Sequence, residues 1–322
     1  MPVPTRSTPI PVGGYEPDPD WPAFPVGVSY GGAATSVAVD SKDRVYVFNR
    51  GPIPVVVLNP DGSVVDLWGT GDFVMPHGVS VDAQDNIWAV DLKHTVQKFS
   101  IEGRGLLTIG DGTSSAPFSG VPFNRPTDAI VHPLTGEIFV TDGYRNAAVH
   151  RFAPDGQWIK SWGAPGSDPG EFSLPHGLCF VGDDRILICD RENFRLQLFT
   201  LDGQFLGQWH SYYPQCLRSV PIAGGQTAIL VGEGPRVRYQ RDVPNLGCRV
   251  RILDESGQEI ARIGTGKWGF DPDAFVSIHG VAVDSQGDVY VAETPYATIV
   301  HYYGESAPEP EPISLRKWRR KR

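Results

Sequence analysis

A segment of one design recurs six times along this chain, and that repeat limits the fold more than any other feature. Its skeleton is an apolar strand that ends in Asp in several copies, a short turn, a strand ending in an acidic or amide residue, a strand ending in an aromatic, and a turn, often Asp-Gly, into a last strand. The copies begin SVAVDSKDRVYVFNR at Ser36, GVSVDAQDNIWAVD at Gly78, DAIVHPLTGEIFVTD at Asp128, GLCFVGDDRILICD at Gly177, SVPIAGGQTAILVGE at Ser219 and GVAVDSQGDVYVAE at Gly280. Their period, roughly 40 to 50 residues, is the length of a propeller blade. Alternations such as Val-Tyr-Val and Ile-Phe-Val fit strands packed on both faces, and Asp61-Gly62, Asp155-Gly156 and Asp202-Gly203 fit hairpin turns. Each copy therefore predicts a four-stranded antiparallel blade, and six copies predict one all-β, six-bladed propeller of residues 21–304.

Closure follows from counting strands. The sixth copy runs out after three strands near Tyr303, whereas residues 24–31 (FPVGVSYG) precede the first strand without a blade of their own. They are expected to complete the sixth blade, so that an N-terminal strand closes the ring and hides two sheet edges. Residues 1–20 read as an extension. Residues 305–322, Pro/Glu-rich and then basic (RKWRRKR), read as a solvated, disordered tail.

Composition supports this reading and limits the partners. The chain has 37 Gly and 29 Pro, which argue for many tight turns and against a helix-rich fold. A formal net charge of -9 and a pI near 5.4 argue against nucleic acid, which needs a basic face. Neither a secretory leader nor a membrane span is legible, so a cytoplasmic protein without membrane contact is expected. The four cysteines lack a CxxC pair and are expected to be buried thiols, although Cys179 and Cys189 fall in neighbouring strands where a bridge is geometrically open.

Aligning the copies at the residue where the chain enters the channel gives Thr35, His77, Thr127, His176, Arg218 and His279. Histidine thus occupies every second blade, so pseudosymmetry aims three imidazoles at one centre. That is a facial set of neutral nitrogen donors with a position left open. Imidazoles suit zinc first, and also iron, copper or nickel. A glycine follows each histidine and lets the backbone pass closely. His94, His132, His150, His210 and His301 share no such phase and read as ordinary exposed or hydrogen-bonded residues. One ring further out, after the second strand, Arg50 and Arg191 share one phase. They form either a carboxylate clamp or bridges to acids of neighbouring blades. Arg218, at a histidine phase, either reaches the channel or bridges blades, and Tyr144 either packs or aims its phenol at the centre.

These motifs resemble the peptidyl-α-hydroxyglycine α-amidating lyase family over about residues 20–303. The matching stretches are VFNRG around Arg50, MPHGVSVD around His77, FVTDGYRN around Tyr144, LPHGL around His176, DRENFRLQLF from Asp190 and IHG around His279. The resemblance implies zinc on His77, His176 and His279, Tyr144 as the base, and Arg50 and Arg191 on the substrate. Two positions depart from it. Gly280 stands where the family has an acidic residue that helps bind calcium, which argues against calcium here, and Ser277 replaces a methionine. The expected reaction splits an N-acyl-α-hydroxyglycine into an amide and glyoxylate, on a small molecule or short peptide that carries a carboxylate. The rivals are a metal-dependent propeller hydrolase such as a lactonase, which would favour oxygen-rich calcium ligands, and a non-enzymatic NHL-type display scaffold.

Overall fold

The alternating runs become strands. In the computed structural model, residues 14–21, 25, 27–222 and 226–321 are described. A short strand β1 (Tyr15–Pro17) comes first. The first blade is β2 (Ala34–Val39), β3 (Val45–Asn49), β4 (Val55–Leu58) and β5 (Val64–Trp68), and the second is β6 (Pro76–Val81), β7 (Ile87–Asp91), β8 (Thr95–Phe99) and β9 (Gly105–Ile109). The third is β10 (Asp128–Val131), β11 (Ile138–Asp142), β12 (Ala148–Phe152) and β13 (Trp158–Trp162), and the fourth is β14 (Pro175–Val181), β15 (Arg185–Asp190), β16 (Arg195–Thr200) and β17 (Phe205–His210). The fifth holds β18 (Pro214–Pro221), β19 (Thr227–Glu233), β20 (Arg249–Leu253) and β21 (Glu259–Ile263). The sixth holds β22 (Ile278–Val283), β23 (Val289–Glu293) and β24 (Leu315–Arg320), with β1 on its edge. The fold is the expected six-bladed β-propeller, closed by an N-terminal strand.

One turn explains the recurring Asp. Asp40, Asp82 and Asp284 each end a first strand, accept the backbone N–H groups two and four residues on, and reach the aromatic donor six residues on. Those donors are Tyr46 Oη at 3.2 Å, Trp88 Nε1 at 2.9 Å and Tyr290 Oη at 3.0 Å. The motif fixes the hairpin and buries the ring between blades. In the third copy His132 stands at this phase, and its Nδ1 takes the N–H groups of Leu134 and Thr135 instead.

Two compact units share the blades: Gly71–Pro214, and Met1–Thr70 with Gln215–Arg322. In the first, Trp88, Val90 and Val96 pack on Ala129, Val140 and Phe152, and Phe139 and Val149 pack on Leu178, Ile188 and Phe199. In the second, Val37, Val45 and Val47 pack on Ala282, Tyr290 and Leu315. Burying each of the valine, leucine, isoleucine and phenylalanine side chains contributes about 1.5–3 kcal/mol. The four cysteines are free and buried, and no described helix is long and apolar enough to cross a membrane.

Three expectations for the sixth blade are corrected. Residues 24–31 do not supply the closing strand: positions 24 and 26 lie outside the described residues, and the others carry no strand. Closure comes from β1, with Tyr15 paired to Arg320, Glu16 to Arg319 and Pro17 to Trp318. The third strand likewise does not run to Tyr303. Ala297–Tyr302 form a π-helical segment, entered at Pro295, whose fixed φ suits a helical first turn. The basic end of the chain, expected to be disordered, is β24. Its charges meet acids: Arg316 Nε lies 2.9 Å from Glu293, Lys317 Nζ 3.2 Å from Asp288, and Arg319 3.5 Å from Asp18. Leu315 and Trp318 are buried beside them.

Candidate metal centre

The three histidines are aimed by bulges. In β6, Pro76 pairs with Asp91 and Gly78 with Val90, so His77 is an extra residue; His279 is extra between Ile278 and Gly280, and Thr35 between Ala34 and Ser36. The same irregularity spans Pro175 to Leu178, around His176. A bulge bends the strand and turns the extra side chain out of the ladder. After His77 and His279 the following glycine is required. A Cβ on Gly78 would lie 2.7 Å from the Thr127 carbonyl oxygen, and one on Gly280 would lie 2.8 Å from Ser36 Cα. No acidic side chain fits at position 280 against that backbone.

Acids at the ends of the second strands hold the loops that lead into the bulges. Asp91 accepts the N–H groups of Val74 and Met75, Asp190 that of Ser173, and Glu293 those of Val276 and Ser277. In each case the first N–H caught belongs to the residue three before the histidine. Asp142 repeats the contact in a blade without histidine, catching Asn124 three before Thr127. Burial pushes the Asp190 carboxyl up from its ordinary value, against hydrogen bonds from Asn193 and Arg195 that lower it.

The ring nitrogens are then sorted. His77 Nδ1 lies 2.6 Å from the Thr127 carbonyl oxygen, and His279 Nδ1 lies 2.6 Å from that of Thr35. A carbonyl only accepts, so both Nδ1 atoms carry a proton, and in the neutral ring it is Nε2 that presents the lone pair a metal-binding histidine needs. The carbonyls come from the threonines at the histidine phase of the following blades. Thr127 is anchored by its own hydroxyl, which reaches the Thr141 and Pro175 carbonyls. His77, His176 and His279 are 1, 2 and 9% exposed, and each offers a ring nitrogen within 4.8 Å of the others. Among the described residues, this buried triad can bind a metal ion, and its donor chemistry fits one.

Tyr144 joins the histidines. Its hydroxyl lies 3.1 Å from His77 Nε2 and 3.4 Å from His176 Nε2. Arg191 stands over the Tyr144 ring at 5.5 Å and the Tyr213 ring at 5.0 Å. Its Nε and Nη2 donate to Glu192 Oε1 at 3.1 and 2.9 Å. Burial works to lower the Arg191 pKa, but Tyr144, Tyr213 and Glu192 together raise it, so the guanidinium stays charged. Arg191 thus already has a carboxylate partner in its own chain. Arg50 follows β3 and is half-buried, with its N–H on the Ala33 carbonyl, and Arg218 lies within β18, also half-buried. Ser277 is buried, with Oγ 3.1 Å from Thr294 Oγ1. The sequence pattern contained the acidic strand ends, but nothing in it connected them to the histidine loops. The threonine carbonyls and the Glu192–Tyr213 contact carried no signal at all.

Fold and site define an NHL-repeat β-propeller with a three-histidine centre, and residues 172–199, in the fourth blade, match the NHL repeat. The chain is 30% identical over 344 aligned residues to peptidyl-alpha-hydroxyglycine alpha-amidating lyase 1 of Drosophila melanogaster, covering 92% of this chain and 61% of that one. It is 29% identical over 328 residues to peptidyl-glycine alpha-amidating monooxygenase B of Xenopus laevis, covering 91% of this chain and 36% of that one. It is therefore an NHL-repeat protein related to the peptidyl-α-hydroxyglycine α-amidating lyases, spanning less than two thirds of the length of these relatives. A streptogramin B lyase structure shares the fold, with a TM-score of 0.57 at 10% identity over 92% of this chain and 96% of that one.

Proposed function

We propose that this protein is a metal-dependent carbon–nitrogen lyase that splits an N-acyl-α-hydroxyglycine into a primary amide and glyoxylate. The observation that carries the reading is the Tyr144 hydroxyl, 3.1 Å from His77 Nε2 and 3.4 Å from His176 Nε2, beside two imidazoles of the three-histidine set. Its kinship with the amidating lyases points the same way. Zinc is the first candidate for His77, His176 and His279, and when bound it would supply a Lewis acid toward a substrate oxygen. Tyr144, as phenolate, takes the α-hydroxyl proton. The carbon–oxygen bond becomes a carbonyl, the electrons of the carbon–nitrogen bond go to nitrogen, and nitrogen takes up a proton, so no water is consumed. Arg191 over its ring holds Tyr144 in place. Arg50 and Arg191 are assigned to the substrate carboxylate, with Arg218 as a further contact. Arg191 enters that role sharing its guanidinium with Glu192.

A metal-loaded sample given a short N-acyl-α-hydroxyglycine is expected to release glyoxylate. Tyr144→Phe should lower kcat by about 10²–10⁴-fold while metal content is retained. Full kcat in that variant removes Tyr144 from the chemistry. Absence of glyoxylate alongside ready opening of lactones replaces the lyase with a hydrolase.

A further inference from the structure

Residues of 71–214 line an open cavity of about 420 Å³ with Tyr144 in its wall, within the size range of small-molecule sites. Its lining includes the apolar side chains of Phe118, Phe172 and Leu174, and Phe118 is 57% exposed at the surface. Glu192 and Asn193 belong to the same lining. Glu192 Oε1 takes the side chain's three hydrogen bonds, two from Arg191 and one from Tyr213 Oη at 2.8 Å, and Oε2 has no partner among the described residues. Asn193 spends its Nδ2 on the Gly166 carbonyl and Asp190, which leaves Oδ1 as the group it can offer. No lysine or arginine lines the cavity among the described residues, and Arg191, on the Oε1 side, is not part of its wall.

A lining that combines apolar side chains with a carboxylate suits a side chain with an aliphatic stem and a cationic tip, because such side chains bury the stem and direct the charge to an acceptor. The same oxygen repels an anion. The geometry points to a charge-selective subsite at Glu192 that receives the side chain preceding the hydroxyglycine and prefers lysine or arginine to an acidic residue. This rests on the lyase reading for the identity of the substrate. The net charge of -9 would also draw cationic peptides toward the protein.

The test uses acetyl-lysinamide, acetyl-norleucinamide and acetyl-glutamic acid amide as probes that need no turnover, with binding to the metal-loaded protein followed by calorimetry. Lysine should bind about tenfold more tightly than norleucine, the size of one charge-assisted hydrogen bond, and the acidic probe should bind worst. Glu192→Gln should bring the lysine-to-norleucine ratio to about one. Phe118→Ala, which alters an exposed side chain, should weaken lysine and norleucine alike. Equal affinity for lysine and norleucine in the wild type, an unchanged ratio in Glu192→Gln, or unaltered binding in Phe118→Ala overturns the subsite. Glyoxylate release from acetyl-lysyl-α-hydroxyglycine separates the two readings. Lysine preference without glyoxylate leaves the subsite and sinks the lyase, whereas glyoxylate without lysine preference does the reverse.

Discussion

The blades of residues 71–214 and the sixth blade of the other unit are built from the same repeat in different ways. In 71–214 every blade uses four consecutive strands, and the connections after β7, β11 and β15 are short. The sixth blade draws on three separated pieces, 278–293, 315–320 and 15–17, and is interrupted by a π-helical segment. Its neighbour, the fifth, carries a long excursion after β19, which Arg236 ties down with hydrogen bonds to the Leu246, Arg241 and Gly266 carbonyls. There Arg241 stands over the Trp268 and Tyr303 rings at 4.4 and 4.8 Å. The regular unit is thus specified by local pattern. The irregular blade depends on filling an open sheet edge from far along the chain, and edge filling is a global requirement.

The largest break in this comparison should come from truncation after Gly304. Loss of β24 leaves β23 as an open edge and β1 without a partner, so the chain should aggregate or lose its cooperative thermal transition; an unchanged melting temperature would refute the role given to β24. In the regular unit, Phe199→Ala removes a fully buried ring packed on Phe172 at 5.7 Å and should cost about 3–5 kcal/mol in denaturant unfolding, a loss without topological collapse. The acid latches act in both units. Asp91→Ala and Glu293→Ala should each lower metal affinity by about 10–100-fold, because each frees the backbone entering one histidine bulge; metal titration showing no change in either would remove the latch from the account.

The smallest effect concerns Cys248. Burial, with the Glu293 charge, pushes its thiol up to about 12. A raised folded pKa means that the protonated thiol favours the fold below the unfolded value of 9.0, and that this contribution fades as pH rises from 9.0 toward about 12. A thiol reagent at neutral pH should leave Cys248 unlabelled until the chain is unfolded, and rapid labelling of the native protein would contradict the burial.

What was legible follows the same division. The repeat gave the six blades, and the alternation of His77, His176 and His279 with Thr35 and Thr127 placed the triad, because both are written in local phase. Closure was misassigned to residues 24–31 because a three-residue strand such as Tyr15–Pro17 has too short a pattern to detect. Leu315–Arg320 was misread because four of its six residues are basic, and only the acids of its own blade turn that run into a strand. At the site, side-chain phase was readable, whereas the carbonyls that orient His77 and His279 are backbone groups with no residue signature. Glu192 was visible only as part of a family motif, and its partners Arg191 and Tyr213 emerged from the fold.

In the proposed reaction, carbon–nitrogen bond cleavage would occur on the glycine side of the amide, without water. The most direct measurement follows the acyl product formed from a short N-acyl-α-hydroxyglycine by the metal-loaded protein in ¹⁸O-labelled water. Both the lyase and an amide hydrolase would yield glyoxylate, whose own carbonyl exchanges with water, so mass analysis of the acyl fragment decides between them. The account predicts a primary amide carrying no label. A carboxylic acid carrying one labelled oxygen would contradict it.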